Sequence, residues 1–117
     1  MSVRAYILRE KDIWVNEDRG FFQYNNDGEN LTKYTHTDKE FAFNIWHQDE
    51  FLEELLNFGA EDYTNHDFLG NIEMSKEDFE SMVENSKRVW SNEDWESIKV
   101  IQNYFKEGWD WIVFDCY

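Results

Sequence analysis

Proline is absent from this chain, cysteine occurs once and glycine only five times. Each shortage excludes something. Proline usually makes up about 5% of a chain, and without it no Pro-rich linker divides this one. That favours a single compact domain over residues 1–117, a length that suits one hydrophobic core. A lone cysteine cannot close an internal disulfide, so a disulfide scaffold is excluded. The glycines form no phosphate-cradling loop, and no G-x-S-x-G nucleophile elbow is present.

Basic residues are also scarce. Eleven Lys and Arg face 26 Asp and Glu, for a net charge of −15. Nucleic-acid binding needs cations to neutralise phosphates, so no direct nucleic-acid partner is expected. Repulsion likewise argues against an anionic membrane surface. No apolar run approaches the roughly 20 residues of a membrane span. The opening MSVRAYILREKDIW is too charged for a secretory signal. The expected location is cytoplasmic, where the Asn30-Leu31-Thr32 sequon has no role.

What is present is apolar bulk. Hydrophobic residues make up 41% and aromatics 19% of the chain, enough for a packed core. Val3, Ala5 and Ile7 alternate with Arg4, Tyr6 and Leu8, which reads as a strand. DIWVN reads as a second short strand or an extension of the first. Asp27-Gly28 lies between strand-like runs and predicts a type I′ hairpin turn joining Phe21–Tyr24 to Leu31–Thr35. Phe41–Trp46 carries two signals: alternation favours a strand, while Thr37-x-x-Glu40 resembles a capping box. The strand is the preferred reading.

Three helices follow from periodicity. DEFLEELLN places Phe51, Leu52, Leu55 and Leu56 on one face, and Glu50, Glu53, Glu54 and Asn57 on the other; Gly59 ends it. FLGNIEM is a short strand. Ser75 caps a second helix, with Phe79, Met82, Val83, Ser86 and Trp90 as its buried stripe. Ser91 caps a third, buried through Trp95, Ile98, Ile101 and Phe105 and stopped by Gly108. Trp109–Cys116 is a strand apolar on both faces, hence interior. The expected fold is α+β: a largely antiparallel sheet of about four to six strands, with about three helices mainly on one face.

Catalytic signals are thin, and the chain reads more as a binding protein than an enzyme. Cys116 lies in an apolar strand beside Asp115, with no local cation to lower its pKa. His36, His47 and His66 lack helical ligand spacing. Glu61, Asp62, His66 and Asp67 cluster within seven residues, so a metal site, or a metal-dependent enzyme built on it, is the alternative reading. No resident cofactor is expected. The pattern with most content is charge: His47 to Glu84 holds twelve acids and one base, Lys76. Glu50, Glu53 and Glu54, then Glu77, Glu80 and Glu84, recur at spacings that put carboxylates about 5–6 Å apart on a helix. Duplex DNA carries one charge per about 1.7 Å of axis. Acidic rows of this kind suit the basic groove of a nuclease or another nucleic-acid-handling protein. Phage anti-defence proteins and nuclease immunity proteins offer an analogy of charge only, since no family motif is present. Trp14, Trp46 and Trp109 have no evident apolar face and are candidates for partner contact.

Overall fold

The computed structural model describes residues 3–7, 13–16, 21–24 and 40–117. The described elements are β1 (Arg4–Ile7), β2 (Ile13–Asn16), β3 (Phe21–Tyr24), β4 (Glu40–Asn44), α1 (Asp49–Asn57), β5 (Glu61–Asp62), β6 (Gly70–Ser75), α2 (Lys76–Asn85), α3 (Asn92–Lys106) and β7 (Trp111–Cys116). They form a five-stranded sheet in the order β4-β1-β7-β6-β5 and a separate β2–β3 pair. Every pairing is antiparallel. The architecture is α+β, as the alternation and periodicity predict.

The last strand sits in the middle. β7 pairs with β1 on one side and β6 on the other. Its register sets Cys116 beside Ala5 and Phe114 between Ile7 and Ile72. Because side chains alternate across a pleated strand, Ala5, Ile7, Ile72, Met74, Ile112, Phe114 and Cys116 share one face. All are buried. Phe51 and Leu55 from α1, Phe79 and Met82 from α2, and Ile98, Ile101 and Phe105 from α3 complete this core. Phe43 joins the layers, with its ring edge-on to both Phe51 and Phe114 at 5.3 Å. Each such side chain contributes about 1.5–3 kcal/mol by leaving water. The opposite face is buried but polar: it carries Asn71, Glu73 and Asp115 around Val113. There β3 comes alongside β7, and Tyr6 stacks on Tyr117 at 5.2 Å.

Helix starts follow the capping chemistry of the sequence. Ser75 Oγ accepts from Asp78 N, and Ser91 Oγ accepts from Asp94 N, both at 3.1 Å. α1 lacks such a cap. Instead Gln48 is built into a buried network: its Oε1 accepts from Asn44 N at 3.0 Å, and its Nε2 donates to Asp94 Oδ1 at 3.2 Å and Ser97 Oγ at 2.8 Å. One amide thus ties the end of β4 to α3. After α1, Gly59 adopts φ +116°, and a Cβ there would lie 2.5 Å from Asp78 Oδ2. Glycine lets α2's first turn close on the end of α1.

Several expectations change. Phe41–Trp46 is strand only as far as Asn44, and Glu40 opens β4 instead of sitting in a helix. Leu56 and Trp95 are exposed although periodicity assigns them to buried stripes. Each helix turns slightly further than the predicted stripe, so Glu54 and the pair Asp94 and Ser97 take the buried positions. α2 ends at Asn85, so Ser86 is its C-cap and Trp90 packs on Phe51 from the following segment. The partner of β3 is β2; the Asp27-Gly28 turn and Leu31–Thr35 lie outside the described residues, as does Thr37.

A chain ending at Trp111 loses almost all of β7 and with it both flanking pairings. It is expected to lack a cooperative thermal transition and dispersed amide resonances; a native-like melt would contradict the central role of the strand.

Candidate partner-binding surface

Residues 40–117 hold nineteen acids and five bases. Fourteen of those acids are exposed. α1 packs beside α2, and each helix carries its own acidic row: Glu50 lies by Ser91 and Asp94 at the start of α3, and Glu80 by Gln102 and Lys106 near its end. Glu50 and Glu53 are exposed on α1, and Glu77, Glu80 and Glu84 on α2. Asp49 adds a further exposed charge at the start of α1, and Glu93 and Glu96 are exposed on α3, where Glu96 lies 3.5 Å from Lys99. The short spacing between carboxylates of neighbouring turns raises the local negative potential, because exposed charges within a Debye length of roughly 10 Å act together.

Glu54 does not belong to this surface. It is 7% exposed and holds α1 against the segment after α2. Its carboxylate accepts from Ser86 Oγ and from Asn57 Nδ2 at 3.1 Å. Arg88 Nε lies 3.4 Å away, while Arg88 Nη2 donates to Glu53 Oε1 at 2.7 Å. One guanidinium therefore neutralises part of both glutamates. Lys76 makes a looser contact of 3.9 Å with Glu80. The Ser86 hydrogen bond is the main reason the Glu54 carboxyl titrates below the ordinary glutamate range; partial burial opposes it, and Asn57 and Arg88 assist.

The alternative cluster is spread apart. Glu61 and Asp62 are consecutive on β5 and point to opposite sides of the sheet. Glu61 accepts from Tyr63 Oη. Asp62 Oδ1 accepts from Thr64 N at 2.8 Å and from Thr64 Oγ1, building a local turn. His66 Nε2 lies 3.4 Å from Asp67 Oδ2, and both side chains are mostly in water. No group of three metal-ligating side chains converges among the described residues.

Two aromatics flagged by sequence separate here. Trp46 is 53% exposed and meets Phe68 edge-on at 5.5 Å. Trp109 is half-buried against Tyr104. The side chain of Trp14 lies outside the described residues. Sequence reasoning passed over a concavity of about 220 Å³ where the N-termini of α1 and α3 meet. No local motif announces it, because it forms only when Gln48 reaches α3 across 46 residues. Cys116 is buried, and its burial, followed by the charges of Asp115 and Asp62, pushes the thiol far above its ordinary range. No helix among the described residues is long and apolar enough to cross a membrane. Compared with known protein families, curated proteins and solved structures, the chain matches none.

Two outcomes follow from this geometry. Replacing Glu54 by Gln removes a charge-assisted clamp and is expected to cost about 1–3 kcal/mol at neutral pH. A carboxylate whose folded pKa is lowered stabilises the fold above its unfolded pKa and loses that effect as pH falls through the folded value. The gap between the wild-type and Glu54→Gln denaturation midpoints should therefore be full at neutral pH and shrink below the ordinary glutamate range. Separately, a thiol reagent at neutral pH should leave Cys116 unmodified in the native protein and label it fully in denaturant.

Proposed function

We propose that this protein is a non-enzymatic binding protein whose acidic helical side engages a basic protein surface. The partner class is an enzyme or factor that handles nucleic acid, with the carboxylate rows occupying the groove meant for phosphates. The observation that carries this reading is the imbalance among the described residues: fourteen exposed acids against six bases in all, one of which, Arg88, is already held by Glu53 and Glu54. Such a field speeds encounter with a cationic groove and releases the counterions gathered on both sides. Glu50, Glu53, Glu77, Glu80 and Glu84 are the residues assigned to contact. Glu54 supports them from beneath by fixing α1.

The test uses capture from a host lysate by the wild-type protein and by a Glu77→Lys, Glu80→Lys, Glu84→Lys variant. These three side chains are exposed, so the fold should tolerate the change. The wild type is expected to retain a basic protein that is released by raised salt and displaced by duplex DNA, and the variant is expected to lose it. Capture unaffected by charge reversal, or resistant to both salt and DNA, would overturn the reading.

A further inference from the structure

We propose that Trp46, braced by Phe68, is the apolar anchor of the partner interface, covered by a cationic segment of the partner that carries an aliphatic side chain. This deepens the function proposed above and rests on it. The strand register sets Phe43, Ala5, Cys116 and Gly70 in one row across the sheet. Trp46 lies three residues beyond Phe43, and Phe68 two residues before Gly70, so both leave the same end of the sheet. Their rings meet edge-on at 5.5 Å. Phe68 also packs on the core, whereas Trp46 stays 53% exposed.

The brace is strained and tightly held. Phe68 has φ +63°, a left-handed conformation that a bulky side chain rarely adopts, and it is the only non-glycine residue with positive φ among those described. Asn65 keeps it there. Its Oδ1 accepts from Asp67 N at 2.8 Å and Leu69 N at 3.2 Å, and its backbone oxygen accepts from Phe68 N at 2.8 Å. On the other side Asn44 Oδ1 accepts from Trp46 N at 3.0 Å. Strain of this kind persists only where its surroundings over-determine it, and it gathers at binding sites. Here it braces an indole that leaves half of its surface in water. A tryptophan held in place beforehand loses little freedom on binding, which suits an interface hot spot.

The charges around the pair select the occupant. Asp67 adjoins Phe68 and is mostly in water. Asp49 is exposed three residues after Trp46, a reach of at most about 11 Å. Arg4, paired with Asn44 across β1 and β4, alternates with Ala5 and so takes the sheet face away from the core that Phe68 packs on. A second copy of the chain would bring a further net charge of −15 against these acids. A cationic segment with an aliphatic side chain satisfies the acids and covers the indole together.

Two fluorescently labelled peptides of equal length serve as probes. Each carries the same number of lysines, with either two leucines or two serines at the same positions, and binding is read by anisotropy at low salt. The leucine peptide is expected to bind at least about fivefold tighter, the margin of an aliphatic side chain leaving water against the indole. Trp46→Ala should remove that preference. Trp95→Ala, at a tryptophan 41% exposed on α3, should keep it. A measurement on the wild type guards against a folding artefact: the indole N–H resonance of Trp46 should shift on titration with the leucine peptide, and that of Trp95 should not. Asp49→Asn with Asp67→Asn should weaken both peptides and leave the preference intact. Equal, salt-sensitive binding of the two peptides, or a preference that survives Trp46→Ala, overturns the anchor and leaves the acidic surface standing. Self-association of the wild type that Trp46→Ala abolishes would assign the pair to a second copy and overturn the proposal too. If neither peptide binds the wild type even at low salt, both readings fall.

Discussion

The pairing of β7 with β1 and β6 is the constraint on which the structure depends. It joins the first described strand of the chain to β6, from which β7 is separated by two helices, and it supplies Ile112 and Phe114 to the centre of the core. The helices lie over a surface that exists only once that strand is in place. Such a fold has long-range contacts at its middle, and the entropy of closing a long loop must be met before they form. Helices α2 and α3, with their serine caps, are local and can begin earlier.

The acidic composition shapes the interior as well as the surface. Like charges repel across an exterior with few cations, so the compact state carries an electrostatic cost. Where carboxylates are drawn inward, polar partners meet them. Glu54 receives Ser86, Asn57 and Arg88. Asp94 receives Gln48. These contacts do two jobs at once: they lower the cost of burying charge, and they hold α1 in the position that presents Glu50 and Glu53 outward. The outward face of α1 is therefore set by hydrogen bonds lying just beneath it.

Sequence alone carried the fold class because period-2 and period-3.6 patterns are local. It also carried the caps at Ser75 and Ser91, where residue type and the acid three positions on mark the helix start. It failed where a contact across the chain decided the outcome. Glu54 looks like any exposed helical glutamate until Ser86 and Arg88 are folded against it. Trp95 has the composition of a core residue but faces water, because Asp94 turns inward to meet Gln48. Of the six glutamates chosen by spacing, five are exposed and Glu54 is buried, since helix geometry fixes neighbours within a row but not the rotation of the row against the sheet.

The two buried faces of the central sheet differ in kind, and that difference specifies alignment. One face of β6 and β7 presents Ile72, Met74, Ile112 and Phe114; the other presents Asn71, Glu73 and Asp115. A slip of either strand by one residue would exchange the two sets. Glu73 or Asp115 would then enter the aromatic layer against Phe43 and Phe79, with the penalty of stranding a carboxylate among hydrocarbon. A sheet apolar on both sides would have tolerated that slip far better. The inward-facing acids thus act as a key that admits only one registration of the final strand.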